Sequence, residues 1–388
     1  GLTLLKRKRI MGINNPSINL FNFNYPVIKL NKDNVKVGTF FSGIGSPEMA
    51  FKRLKDNGII NNYESVFFCE IDKWAVKSYC AIHNKTEKDN LGDITKINGK
   101  NLPYCDIWIG GFPCQDISMA GIRRGFDFNS NTRSSLGWKM IQFIREMDNP
   151  PKVVIFENVA AITNSKMRKT LSLFKQDLEN LGYSLYDHVL TALDYGTPQN
   201  RERYFLVAIK GKYIYHFPEK IKLKLRLKDL LEKDIDPNLV LSEKVKFDLE
   251  KFVKNKNYSK NSKLICKNLK DKRKRYVINL YRFVDGKNHC GRDTSSKYNQ
   301  TARLWSMNGY CPTLTANSTE DTSKMIIYKD NCFFVKKISP LESWRFMGFS
   351  DDDFYKAKST GMSNRQLFKQ AGNSIATNVI YYILKNLF

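Results

Sequence analysis

The chain has 388 residues, a hydrophobic fraction of 42% and a formal net charge of +26. This composition excludes an intrinsically disordered chain, and no apolar stretch approaches the ~18 residues that a membrane span needs. The excess of positive charge favours a polyanionic partner such as nucleic acid. The cysteines lack C-x-x-C spacing and only 4 histidines are present. We therefore expect no metal site, no disulfides and a reducing compartment, the cytoplasm.

Predicted strands and helices alternate over the first half of the chain. Residues 1–34, rich in Asn and Lys, are expected to form a basic arm. From residue 35 onward, apolar β-branched runs alternate with amphipathic stretches, which predicts a doubly wound α/β domain over residues 35–209. The predicted strands are Val35–Phe41, Ser65–Cys69, one ending at Asp93, Asp106–Phe112, Lys152–Phe156 and Arg201–Ile209, with helices at Pro47–Asn57 and Trp74–Ile82.

The pattern changes at Lys210. Residues 210–335 are polar and irregular, and they carry 28 Lys and Arg against 14 Asp and Glu. We expect a second, smaller domain of short strands and loops that contacts phosphates. Residues 336–388 are expected to return to the first domain through a short helix at Pro340–Phe346 and an amphipathic helix at Ser374–Phe388.

Glycines and acids follow the first predicted strands in an order that suits a nucleoside cofactor. Gly43 and Gly45 lie in the turn after the first strand, where a ligand can approach the backbone closely. Glu70 ends the second strand and suits a ribose hydroxyl, and Asp93 suits an adenine amino group. Position 48 is Glu, where a dinucleotide-binding loop would carry its third glycine. S-adenosylmethionine is therefore favoured over a nicotinamide cofactor.

A cysteine and a carboxylate each follow an apolar predicted strand. Cys114 comes after Asp106–Phe112, and Glu157 comes after Lys152–Phe156. If these strands are parallel neighbours, both residues lie at the carboxyl edge of the sheet, where α/β folds place their chemistry. Taken singly, they favour a buried structural cysteine and a solvated glutamate. Together they indicate a nucleophile with an acid beside it.

Six motifs, in the same linear order, resemble those of the DNA cytosine-5 methyltransferases. Two departures from the family pattern stand beside them. Ser46 occupies a position where a second glycine is usual, and Leu341 replaces the arginine of the usual T-P-R-E. The six motifs are Phe41–Gly45, Gly111–Gln115, Phe156–Val159, Gln199–Arg203, Gly309–Thr315 and Gln370–Ser374.

The resemblance implies an S-adenosylmethionine-dependent methyltransferase fold with a target-recognition domain in residues 210–335. The implied reaction moves a methyl group to carbon 5 of a cytosine flipped out of duplex DNA. Cys114 would add to carbon 6, Glu157 would contact ring nitrogen 3, and Arg203 would hold the carbonyl oxygen and orient Glu157. Gln115 is a further implied catalytic residue, and Arg201 would meet a phosphate.

The resemblance also implies which residues bind the cofactor and the DNA. The stretch from Ser118 to Arg133 would close over the flipped base. The implied cofactor-binding residues are Phe41, Gly43, Ile44, Gly45, Glu70, Ile71, Asp93, Ile94, Pro113, Leu136, Asn373 and Ser374. The implied DNA contacts are Ser118, Arg123, Arg124, Arg133, Thr313, Lys272 and Arg273.

Further expectations concern partners and rival functions. The resemblance implies a monomer that acts on double-stranded DNA, with a restriction endonuclease as a candidate partner. Three alternatives stay open: a transfer-RNA cytosine-5 methyltransferase, an inactive DNA-binding homologue and a nicotinamide oxidoreductase. The large basic region argues against the first, and Glu48 against the third. The intact set of Cys114, Glu157 and Arg203 argues against the second.

Overall fold

A six-stranded sheet forms the centre of the protein. The computed structural model describes residues 24–112, 136–240, 277–279, 303–319, 323–329 and 332–388. The spatial order of the strands is β2-β1-β3-β4-β7-β5. Their bounds are Val35–Phe40 (β1), Tyr63–Cys69 (β2), Ile107–Gly111 (β3), Val153–Val159 (β4), Tyr183–Thr191 (β5) and Glu202–Lys210 (β7), and the short strand β6 is Gln199–Asn200.

Helices cover both faces of this sheet. Phe51 and Ile380, on two of the helices, belong to one apolar cluster, and Phe143 on a third helix belongs to the other. The helices are Ser46–Asp56 (α1), Lys73–His83 (α2), Leu136–Glu146 (α3), Arg168–Asn180 (α4), Pro340–Arg345 (α5), Asp351–Ser359 (α6), Asn364–Asn373 (α7) and Thr377–Lys385 (α8). Short 3-10 turns lie at Glu87–Asp89, Ile94–Lys96, Gly99–Asn101, Ala160–Thr163, Ala192–Tyr195, Leu227–Leu230 and Pro237–Leu239. No helix in the described ranges is both long and apolar enough to cross a bilayer.

Strand β3 and the first four residues of β4 carry no polar side chain, because both faces of the sheet are buried there. Strand β3 illustrates the point. Ile107 and Ile109 join the cluster that contains α1 and α8, whereas Trp108, between them, joins the cluster that contains α3. Side chains alternate between the faces of a strand, so a strand with helices on both sides needs apolar residues at every position.

The strand order creates a crevice between the ends of β1 and β3. Strands β1, β2, β3 and β4 pair in parallel with one another, whereas β7 is antiparallel to both β4 and β5. The chain moves outward from β1 to β2 and then returns past β1 to begin β3. In doubly wound sheets, ligands bind at the carboxyl ends of the strands beside this reversal. The predicted parallel pairing of β3 with β4 is confirmed.

Three features of the fold differ from the sequence prediction. The strand expected to end at Asp93 is wrong, because Asp93 instead caps the 3-10 turn Ile94–Lys96 by accepting from the Thr95 amide at 2.9 Å. The helix expected from Ser374 begins only at Thr377, since α7 runs to Asn373 and Ser374 is extended. Strand β5 was not predicted; it lies at the edge of the sheet.

Short strands of the basic region form a second sheet. Their order is β12-β11-β9-β8, with bounds Val277–Asn279 (β8), Arg303–Ser306 (β9), Lys324–Lys329 (β11) and Cys332–Lys337 (β12). Strand β10, Cys311–Pro312, pairs instead with β6 in parallel. The domain boundary at residue 210 stays a prediction. Residues just after it lie against the first domain, because the Tyr215 hydroxyl donates to the Ile383 carbonyl at 2.8 Å.

Candidate active site

The turn after β1 is joined to the end of β2. Phe41, Gly43 and Gly45 all have positive φ values, of 53°, 54° and 84°. The Gly43 amide donates to Glu70 Oε2 at 2.8 Å, and Glu70 Oε1 accepts from the amides of Ile71 and Asp72 at 2.9 and 2.8 Å. A carboxylate has about four lone-pair positions, so three amide donors leave room for a ligand hydroxyl. The glycine turn and the acid predicted for a cofactor therefore lie together.

Asn90 holds the segment that leads to Asp93 against Glu70, although no strand ends at Asp93. The Asn90 side chain accepts from the Glu70 amide at 3.0 Å and donates to the Glu70 carbonyl at 2.9 Å. It also accepts from the Gly92 amide at 3.0 Å. The Thr95 hydroxyl and amide both donate to Asp93 and hold the pKa of that carboxyl below its usual value. Asp93 is thus an anion beside the end of β2.

Glu157 lies at the carboxyl edge of the sheet, opposite Gly111. The two residues are register partners of the parallel strands β3 and β4. A Cβ atom at Gly111 would lie 2.9 Å from Glu157 Oε2, so this position has little space for a side chain. Arg203 on β7 places its Nε 3.2 Å from Glu157 Oε1, and the Glu157 side chain is only 12% exposed. Burial raises the pKa of Glu157, while the charges of Arg203 and Arg201 oppose that rise.

Asn158 fixes the segment that leads to Cys114. Its side-chain amide donates to the Phe112 carbonyl at 3.0 Å, and its own side chain is buried. Phe112 is two residues before Cys114 and is the last residue described before the gap in the structure. The hydrogen bond therefore holds Phe112, two residues before Cys114, beside the strand that carries Glu157.

Arg201 and Gln199 join three distant segments of the chain. The Arg201 guanidinium donates to the carbonyls of Leu314, Gly372 and Ser374, at 2.6, 2.8 and 2.7 Å. Gln199 accepts from the Leu314 amide at 3.0 Å and donates to the Phe346 carbonyl at 2.7 Å. Strand β6 and the residue between it and β7 therefore connect the stretch after β10 to the ends of α5 and α7.

Residues 35–388 match the family model described as C-5 cytosine-specific DNA methylase. The chain belongs to this family. The chain is 28% identical to the orphan methyltransferase M.SPRI of Bacillus phage SPR, over 91% of this chain and 97% of that protein. It is 33% identical to the type II methyltransferase M2.ScrFI of Lactococcus lactis subsp. cremoris, over 79% of this chain and 73% of that protein.

Solved structures agree on the fold of the methylase. The Entamoeba histolytica methyltransferase EhMeth superposes with a TM-score of 0.64 at 18% identity, covering 92% of this chain and 98% of that one. The S. pombe Dnmt2 methyltransferase also gives 0.64, at 17% identity, covering 91% and 98% of the two chains. The predicted fold class, a mixed α/β methyltransferase fold, is confirmed.

The expectation that Arg201 meets a phosphate is wrong. The side chain is 3% exposed and its guanidinium is occupied by three protein carbonyls. The second arginine of the Q-x-R-x-R motif, Arg203, lies beside Glu157 as expected, although its contact with a substrate carbonyl stays a prediction.

The other predicted cofactor-binding residues differ in their exposure near the crevice. Ile71 is 75% exposed beside Glu70, as an apolar contact for a planar ring requires, whereas the Ile44 side chain lies in the core. Asn373 ends α7 and is exposed, but the Ser374 hydroxyl donates to the Gln370 carbonyl at 2.7 Å as a helix cap. Phe41, Leu136 and Ile94 pack with the cluster beneath α3.

Thr313 contacts the backbone beside Arg201. The Thr313 hydroxyl donates to the Asn200 carbonyl at 2.7 Å, next to the Arg201 contacts. Several predicted residues lie outside the described ranges: Pro113, Cys114, Gln115, Ser118, Arg123, Arg124, Arg133, Lys272 and Arg273. The prediction missed Asn90, Asn158 and Gln199 as structural partners. Asn158 and Gln199 lie inside quoted motifs, so attention to every polar residue of a motif would have found them.

Leu341 stands where the family pattern has an arginine, and Lys336 supplies a positive charge to this motif instead. Leu341 is 4% exposed and packs in the core. The adjacent Glu342 is fully buried and pairs with Lys336 Nζ at 2.6 Å. Glu342 also accepts from the Ser339 amide at 2.9 Å and the Glu232 amide at 3.1 Å. A cation from β12 therefore neutralises the glutamate of this motif.

Proposed function

We propose that this methylase transfers a methyl group from S-adenosylmethionine to carbon 5 of a cytosine in duplex DNA. Residues 210–335 would select the target sequence, and a single copy of the chain would act on each site. The observation that carries this proposal is the register of β3 and β4. It places the Glu157 carboxyl, held by Arg203, beside the backbone that leads within two residues to Cys114.

The crevice residues suit S-adenosylmethionine. A Cβ atom at Gly43 would meet nothing within 4 Å, so the backbone there is open to a ligand. The held carboxylate of Glu70 suits ribose hydroxyls, and the exposed Ile71 offers an apolar surface to the adenine ring. Bound there, the cofactor supplies an electrophilic methyl group on a sulfonium sulfur.

The protein makes a poor nucleophile reactive at carbon 5 of cytosine. In the proposed reaction, the Cys114 thiolate forms a bond to carbon 6, and the electron pair of the 5,6 double bond becomes available at carbon 5. Glu157 protonates ring nitrogen 3 as that addition proceeds. Methyl transfer leaves S-adenosylhomocysteine. A water molecule then takes the proton from carbon 5, the sulfur–carbon bond breaks to release the Cys114 thiolate, and nitrogen 3 returns its proton to the Glu157 carboxylate, which restores the aromatic ring. The target base must leave the DNA stack first, which costs a few kcal/mol.

The environment of Glu157 supports the role of an acid. Burial raises the pKa of this carboxyl, so it retains a proton more readily than an exposed glutamate. Arg203 opposes that rise and fixes one carboxyl oxygen. The other oxygen, Oε2, points towards Gly111 at the end of β3, the strand that leads to Cys114.

Methyl transfer from tritiated S-adenosylmethionine tests the proposal. We expect incorporation into duplex DNA and none into unmodified transfer RNA, and bisulfite sequencing of DNA from an expressing host should show 5-methylcytosine at one recurring sequence. Label that enters only transfer RNA would replace the proposal with the RNA alternative. Absence of label in either substrate, with intact DNA binding, would favour the inactive homologue.

A further inference from the structure

His83 lies directly beneath the turn after β1. It is the last residue of α2, and its ring Nε2 is 2.9 Å from the Ile44 carbonyl oxygen. A carbonyl oxygen only accepts hydrogen bonds, so Nε2 carries the hydrogen and donates. Burial lowers the pKa of His83, which keeps the ring neutral near pH 7 and protonated on this nitrogen. The His83 side chain therefore holds the turn after β1 through the Ile44 carbonyl.

The two glycines of the turn have different neighbours. At Gly45 an added Cβ atom would lie 2.1 Å from His83 Nε2 and 2.9 Å from the Tyr79 ring. At Gly43 it would meet nothing within 4 Å. Gly43 thus borders the open crevice, whereas Gly45 has no space for a side chain above the His83 and Tyr79 rings, in addition to its positive φ. Sequence patterns assign both glycines to the ligand, but the structure assigns only the first one to it.

A buried network holds His83 in place. Its ring packs on Tyr79 with centroids 4.5 Å apart, and the Tyr79 hydroxyl donates to Glu48 Oε1 at 2.7 Å. The Thr39 hydroxyl donates to the same oxygen at 2.7 Å. Glu48 is 1% exposed and lies in the first turn of α1, where the helix dipole favours a carboxylate. The glutamate at the position of the third glycine is therefore the anchor of this network.

We propose that His83 is a positioning residue for the cofactor, which holds the turn after β1 so that Gly43 and Glu70 face the ligand together. The Ile44 carbonyl follows Gly43 directly, and the Gly43 amide is bonded to Glu70. Release of the turn from His83 would move the Gly43 amide away from Glu70 Oε2, while Oε1 keeps its bonds to the amides of Ile71 and Asp72. This inference rests on the proposed function, because it assumes a nucleoside ligand in the crevice.

Titration calorimetry with S-adenosylhomocysteine tests the inference on the full chain. His83→Leu removes the donor at similar volume, whereas His83→Gln places an N–H near the position of Nε2. We expect His83→Leu to raise the Kd about tenfold, as the loss of one hydrogen bond to a held group predicts, and His83→Gln to restore most of it. At saturating cofactor, kcat and the KM for DNA should stay within about threefold of wild type.

His188→Leu is the matched control. His188 on β5 is also partly buried and packs on an aromatic ring, Phe217, with centroids 5.7 Å apart. We expect wild-type cofactor affinity for this variant. An unchanged Kd in His83→Leu, or an equal loss in His188→Leu, would overturn the inference. Failure of the wild-type protein itself to bind S-adenosylhomocysteine would instead overturn the proposed function.

A second pair of variants covers the case in which His83→Leu does not fold. Gly45→Ala is expected to weaken cofactor binding because its methyl group meets the His83 ring. Combined with His83→Ala, it should cost less than the sum of the two single changes, since the contact with the His83 ring is then absent while the contact with Tyr79 and the positive φ remain. Strict additivity of the two losses would overturn the inference, because it would show that His83 and the turn act independently on cofactor binding.

Discussion

Glu157 Oε1 and Arg203 Nε lie 3.2 Å apart, across two antiparallel strands of the central sheet. Both side chains are mostly buried, at 12% and 16% exposure, so the pair is little screened by solvent. The salt bridge fixes Oε1 of Glu157 and leaves Oε2 beside Gly111, three residues before Cys114. The arrangement gives the Glu157 carboxyl a single orientation at the carboxyl edge of the sheet.

Glu157→Gln should bind DNA and S-adenosylhomocysteine normally but transfer methyl groups slowly. Glutamine keeps the shape of the side chain and cannot deliver a carboxyl proton, so single-turnover rates should fall by roughly 10²–10⁴. Glu179→Gln on the exposed end of α4 is the control and should keep wild-type rates. A rate for Glu157→Gln within about threefold of wild type would remove Glu157 from the role of acid.

Arg203→Met should move the alkaline limb of the pH–rate profile to higher pH. The charge of Arg203 lowers the pKa of Glu157, so its removal lets burial raise that pKa further. A step that needs protonated Glu157 is lost as pH rises through this pKa, and a higher pKa therefore preserves the step to higher pH. We also expect a rate lower by about 10-fold or more, because the carboxyl loses its orientation. Measured kcat against pH for both proteins would show the shift; a limb that moves to lower pH contradicts the argument.

Arg201→Met should destabilise the fold without changing the salt dependence of DNA binding. Three buried carbonyls lose their donor, which we expect to cost about 3 kcal/mol or more in urea unfolding. A residue at a phosphate would behave differently, since each lost phosphate contact reduces the log–log slope of affinity against salt by about 0.9. A smaller log–log slope of DNA affinity against salt, with unchanged unfolding free energy, would indicate instead that Arg201 contacts a DNA phosphate.

Glu342→Gln should be among the more destabilising single changes in the protein. It leaves the Lys336 ammonium, 1% exposed, without a counter-charge, and breaking such a buried pair costs about 3–5 kcal/mol. Lys336→Met combined with Glu342→Gln should cost less than the sum of the single changes. The exposed pair Lys356–Asp352 on α6 is the control, and Lys356→Met should cost about 1 kcal/mol or less. Equal losses of unfolding free energy in Glu342→Gln and Lys356→Met would indicate that burial of the Lys336–Glu342 pair is unimportant.

Local sequence determined the framework of the protein. Apolar runs predicted strands at β3 and β4, and the residues after them, Cys114 and Glu157, would share a carboxyl edge if those strands were parallel neighbours. The structure confirms the parallel pairing, and Glu157 lies at that edge. The glycines after β1 and the acid at the end of β2 were found in the same way, because strand ends and turns have short-range signals.

Only the tertiary structure decided which polar side chains serve the site and which serve the fold. Arg201 and Arg203 are two residues apart in one motif, yet one is bonded to carbonyls up to 173 residues away and the other faces Glu157. The His83 ring, at the end of another helix, leaves no space for a side chain at Gly45. Hydrophobic periodicity reports which face of an element is buried, but it carries no information about the hydrogen-bond partner. That partner depends on where distant segments meet, and packing of the whole chain sets that position.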